Sequence, residues 1–88
     1  MQGIQRRQTD IRKEAGNLER LLELVAAEIE NRNKAEALEH LERAEQILAS
    51  LEATRRNEPA YEVPLRDEGG RIQRLKEAAA NLVEDASP

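Results

Sequence analysis

Ile4, Ile11, Leu18 and Val25 stand seven residues apart, and Ala15, Leu22 and Ile29 run beside them. Apolar residues at this spacing line one face of an amphipathic helix. Carried forward, the same stripe lands on Arg32, Glu36 and Glu39. It stops there, and a second stripe starts in another phase at Ala37, Leu38, Leu41, Ala44, Leu48 and Leu51. The slip of phase predicts two helices folded back as an antiparallel, coiled-coil-like hairpin rather than one long rod.

Local signals set the expected boundaries. Helix 1 spans about 5–31, with Thr9 and Asp10 as candidate N-cap residues. Ile4 keeps the phase and allows an earlier start. Gly16 lies inside this helix and costs about 1 kcal/mol against Ala. It is read as a weak spot before it is read as a place of close backbone approach. The segment Asn31-Arg32-Asn33-Lys34 is the turn, and Asn33 with Glu36 resembles a capping box. Helix 2 spans about 34–57, because Pro59 cannot continue it and Glu58 is pushed out of the helical region.

An extended linker is expected over 58–66. Tyr61, Val63 and Leu65 alternate there with Glu62 and Pro64. Two prolines in so short a run argue against a sheet strand. The three apolar groups are read as a clip over the open end of the hairpin, with a docking segment as the alternative. Helix 3 is expected over about 67–86, with Asp67 as N-cap and Ile72, Leu75, Ala79, Leu82 and Ala86 as its stripe. Gly69-Gly70 weakens its first turn, and Ser87-Pro88 reads as a frayed end. The expected fold is all-α, a single three-helix domain over residues 1–88.

Composition decides what else such a chain needs. Of 88 residues, 21 are large apolar or Tyr, Tyr61 is the one aromatic, and there is no Cys. A core this thin, without disulfides or thiolate metal sites, is marginal, so self-association as a homodimer is expected. Charged residues make up 36% of the chain with both signs interspersed, and the net charge is -4. That balance argues against bulk nucleic-acid binding and against anionic membranes. No apolar run reaches membrane-spanning length, and the N-terminus lacks the apolar stretch of a signal peptide. A cytoplasmic protein is the expectation.

Stripe width points to the surface used for binding. At about 100° per residue, Leu21 and Leu24 lie to one side of the Leu18–Val25 line, and helix 2 spreads across to Ile47. These three are the apolar edges left over after the hairpin closes. With the acidic side formed by Glu19, Glu23 and Glu28, they are the expected protein-interaction residues. Five acid-first pairs (Glu28/Arg32, Glu30/Lys34, Glu39/Arg43, Glu52/Arg56 and Asp67/Arg71) have the spacing that supports helices by about 0.2–0.5 kcal/mol each.

Two chemical features compete with that reading. The hairpin gathers nine basic residues at one pole among seven acidic ones. Arg6, Arg7, Arg55 and Arg56 are the candidate phosphate or nucleic-acid contacts there, with a solubilising arm as the plainer reading for Arg6 and Arg7. His40 is the only histidine, followed by Arg43 and Ala44 one turn on. His40-Leu41-Glu42-Arg43-Ala44 loosely resembles the phosphotransfer-domain pattern, with Arg and Ala in place of the usual Lys and Gly. The resemblance implies an imidazole that accepts a phosphoryl group, with a cation steadying its oxygens. That family has a four-helix core, one helix more than is expected here.

No metal-ligand spacing and no catalytic carboxylate pair appear, so no enzyme activity and no cofactor are expected. The leading function is a non-enzymatic protein–protein interaction module: a small regulatory, inhibitor, antitoxin or adaptor protein working through its helix faces. Its expected partners are itself and another protein. A nucleic-acid regulator ranks second and phosphotransfer at His40 third.

Overall fold

The computed structural model describes residues 2–82, with side chains from Gln5 onward. Three helices follow in order: α1 (Gln2–Glu30), α2 (Lys34–Asn57) and α3 (Glu68–Ala80). There is no strand among the described residues. α1 and α2 form the hairpin, and α3 lies along it, chiefly against α2. The side chain of Ile4, the expected helical position of Ala86 and the expected frayed Ser87-Pro88 lie outside what is described.

The two stripes become the core. Ile11, Ala15, Leu18, Leu22 and Val25 of α1 meet Ala37, Leu41, Ala44 and Leu51 of α2, and Ile72 and Ala79 of α3 close the third side. The alanines let helix backbones approach, and the leucines fill the space between them. Leu38, expected in the second stripe, is 41% exposed instead. It sits about 100° round the helix from Ala37 and points past the hairpin contact.

The reversal falls where the phase slip put it. Arg32 has φ 60°, the left-handed region. Its N–H donates to the Ile29 carbonyl at 3.0 Å, and the Asn33 N–H donates to the Glu28 carbonyl at 2.8 Å. This pair of bonds is a Schellman ending, here built on arginine where glycine is usual. Asn33 does not form the expected capping box, since its side chain makes no cap bond. Its backbone serves both helices, the carbonyl accepting from the Ala37 N–H at 2.9 Å.

Other local expectations are corrected. α1 is already helical at Gln2, so Thr9 and Asp10 are not its cap. Thr9 Oγ1 donates back to the Gln5 carbonyl at 2.9 Å, an interior arrangement. Asp67 also makes no side-chain cap bond. Its carboxylate lies 3.6 Å from Arg74. α3 stops at Ala80, short of the expected 86, with the Leu82 N–H donating to the Ala79 carbonyl at 3.1 Å. Lys34 Nζ, from the start of α2, donates to the Leu82 carbonyl at 3.3 Å and fastens that end.

The linker from Glu58 to Asp67 forms no strand and is not extended throughout as expected: it opens on a turn at Pro59-Ala60, where the Tyr61 N–H donates to the Glu58 carbonyl at 3.1 Å. Tyr61, Val63 and Leu65 are half-buried against the core, the packing expected of a clip. The Leu65 N–H donates to the Val63 carbonyl at 2.8 Å, making a tight turn around Pro64. Gly16, by contrast, has no backbone near it. A Cβ there would find the Arg20 guanidinium at 3.9 Å and open space, so it is a weak spot in α1.

Candidate interaction face

Two contacts identify the sides of the hairpin. Arg71 Nη1 of α3 donates to Glu19 Oε2 of α1 at 2.7 Å, so Glu19 marks the edge that α3 covers. Nine residues on, Glu28 sits about 180° round the same helix, on the opposite edge. There its two carboxylate oxygens both lie 2.9 Å from His40 Nδ1 of α2. Leu21 is seven residues before Glu28, and Ile47 seven after His40, so each lies near the line of that pair. The groove opposite α3 is therefore edged by Leu21 and Glu28 on one helix and by His40 and Ile47 on the other.

Leu21 and Ile47 are half-buried against the core, and Leu24 is 45% exposed further out. The structure thus brings Leu21, Leu24 and Ile47 to the side that α3 leaves uncovered. It does not assemble the expected acidic surface. Glu19 faces α3, Glu23 is exposed, and Glu28 is buried. Helical phase separates Glu19 from Glu28, and His40 draws Glu28 inward.

Local spacing pairs Glu28 with Arg32, four residues on, and so conceals the Glu28–His40 pair. Its signal was present in the phase: Glu28 continues the Leu21 edge and His40 precedes the Ile47 edge. None of the five expected acid-first pairs is an ion pair in the structure. Most of the ion pairs found join different elements, among them Lys76 with Glu45 at 3.4 Å. Glu28 is turned to His40 instead, and exposed partners one turn apart gain little from closing.

The basic pole is also partly neutralised. Arg7 lies 3.4 Å from Glu58 and Arg12 lies 3.6 Å from Glu62. Arg7 is inside α1, so it does not belong to an arm; Arg6, also in α1, is exposed, as are Arg55 and Arg56. Arg55 and Arg56 sit in the last turn of α2, where the helix dipole favours cations.

Between α1, the linker and the start of α3 lies a cleft of about 550 Å³, lined by Arg12, Glu19, Arg66, Glu68, Arg71 and Arg74 among others. Glu68 is buried and accepts from the Arg66 backbone N–H. The Glu19 carboxyl is held below its ordinary value, first by hydrogen bonding with the Glu68 side chain and then by Arg71, with Arg66 adding charge. Partial burial pulls the other way and is outweighed. Arg12, Arg71 and Arg74 thus each face a carboxylate, which makes the cleft a mixed-charge joint rather than a bare cationic surface.

No helix among the described residues is long and apolar enough to cross a membrane. No protein-family model, curated protein or solved structure matches this chain.

Proposed function

We propose that the chain is a non-enzymatic protein–protein interaction module, of regulatory, inhibitor, antitoxin or adaptor type, that works through the hairpin groove opposite α3. Its first partner is a second copy of the same chain. One observation carries this reading: Leu21, Leu24 and Ile47 share the uncovered side, and Leu24 is 45% exposed there. A small core gains from covering such a face, since large apolar side chains contribute most when desolvated. The acidic and basic groups around it then govern recognition more than affinity.

The test is the oligomeric mass of the wild-type chain and of Leu21→Glu/Leu24→Glu by light scattering, with circular dichroism as the control for folding. The expected result is a wild-type mass above one chain that falls to one chain in the helical variant. A wild type of single-chain mass, or a variant of unchanged mass, overturns the reading.

A further inference from the structure

We propose that the cleft between α1, the linker and α3 binds a compact diphosphate, which its arginines grip and which ties the three elements together. The site lies on the α3 side of the hairpin, away from the groove of the proposed interaction. Its volume of about 550 Å³ falls within the roughly 300–1,000 Å³ of small-molecule sites and exceeds what one phosphoryl group fills. No aromatic side chain lines it, so nothing there stacks on a base, and its charged groups select the anion.

The four arginines come from three elements: Arg12 from α1, Arg66 from the linker, Arg71 and Arg74 from α3. The carboxylates among them are not equally free. Glu68 is buried, accepts from the Arg66 backbone N–H and is hydrogen-bonded to Glu19. Glu19 in turn accepts from Arg71 Nη1 at 2.7 Å. These two carboxylates brace the wall and position Arg71. The other cations are loosely held. Arg12 lies 3.6 Å from Glu62, and Arg74 lies 3.6 Å from Asp67, too long for a hydrogen bond, and both pairs are well exposed. Arg66 is in no ion pair among the described residues.

Three guanidiniums therefore keep their N–H groups for water. A guanidinium fork matches two phosphoryl oxygens, a stronger contact than an exposed carboxylate at that distance. Two linked phosphoryl groups supply oxygens to cations on both walls. Gly16 leaves the α1 wall open: a Cβ there meets nothing closer than the Arg20 guanidinium at 3.9 Å. A leucine at that position occupies cleft space and also strengthens α1, so it separates binding from stability.

The experiment titrates the full chain with metal-free pyrophosphate at low ionic strength, read by calorimetry and by amide NMR shifts. The expected result is saturable binding, with the largest shifts at Gly16, Arg66 and Glu68. Arg66→Gln/Arg74→Gln should weaken it by about tenfold or more, the loss of charge-assisted hydrogen bonds. Arg55→Gln/Arg56→Gln makes the same change of charge at the end of α2 and should stay within about threefold of wild type. Gly16→Leu should raise the urea midpoint yet weaken binding by about tenfold or more. ADP, run in parallel, separates the sources: tighter binding than pyrophosphate assigns a nucleotide, equal or weaker binding a free diphosphate, and either supports the site. Absence of saturation, shifts spread evenly along the helices, equal losses in the two arginine variants, or unweakened binding by Gly16→Leu overturns the inference. Binding is read per chain, so this inference and the interaction reading fail separately.

Discussion

One side chain satisfies both backbone groups of Glu62: Gln8 Nε2 donates to its carbonyl at 2.7 Å, and its N–H donates to Gln8 Oε1 at 2.9 Å. The amide imitates a strand neighbour at that one residue and ties the linker to α1. Gln8→Ala should destabilise the protein by about 1 kcal/mol, because exposed hydrogen bonds are worth little each. Hydrogen exchange should rise at the Glu62 amide well before the core amides respond. Uniform exchange along the linker in the wild type would contradict this.

Arg32 holds a left-handed backbone at a cost that glycine avoids. Arg32→Gly should therefore stabilise the hairpin by about 0.5–1 kcal/mol, after the greater freedom of glycine in the unfolded chain is subtracted. Urea denaturation reads this as a higher midpoint at unchanged slope.

Glu19 links stability to acidity. Its carboxyl titrates below the ordinary 4.5 in the folded chain, so its contribution is present above that value. The contribution is lost as pH falls through the lower folded value. Arg71→Gln removes a hydrogen bond and a charge that hold it down. The stability difference between wild type and Arg71→Gln should be constant near pH 7 and shrink on acidification below pH 4.5. Because the Glu19 side chain is 44% exposed, the difference should be less than about 1 kcal/mol and smaller in high salt.

Two leucines should behave oppositely. Leu22 is fully buried, and Leu22→Ala should cost about 2–5 kcal/mol, much of the stability of a domain this small. Leu38 is 41% exposed, and Leu38→Ala should stay within about 0.5 kcal/mol of wild type. Chemical denaturation of both variants gives the comparison directly.

The helices and the hairpin turn were legible because apolar periodicity records which face is buried, and the change of phase at 30–37 records the reversal. The packing of Tyr61, Val63 and Leu65 against the core was legible because apolar groups in a thin core are expected to leave water. The caps were not. Asn33 and Asp67 have the right side chains, yet neither makes a cap bond, and their backbone carbonyls open α2 and α3 instead. The polar cross-links were hidden for a related reason. Glu28 and Arg71 each had a partner four residues away in sequence and found a better one across the fold. Tertiary proximity, at 12 and 52 positions' remove, outranked local spacing. Of the candidate binding residues, the apolar edges followed from helix geometry, whereas the acidic trio ignored the half-turn between Glu19 and Glu28.

The close spacing of α1 and α2 along the chain also sets an order of assembly. Their contacts are closed by the brief reversal at Arg32, so they form a low-contact-order unit that zips early. α3, joined through the longer Glu58–Asp67 connector, should dock after it. In a kinetic experiment, substitutions in the α1–α2 seam should alter the refolding rate, and substitutions on α3 should chiefly alter the unfolding rate.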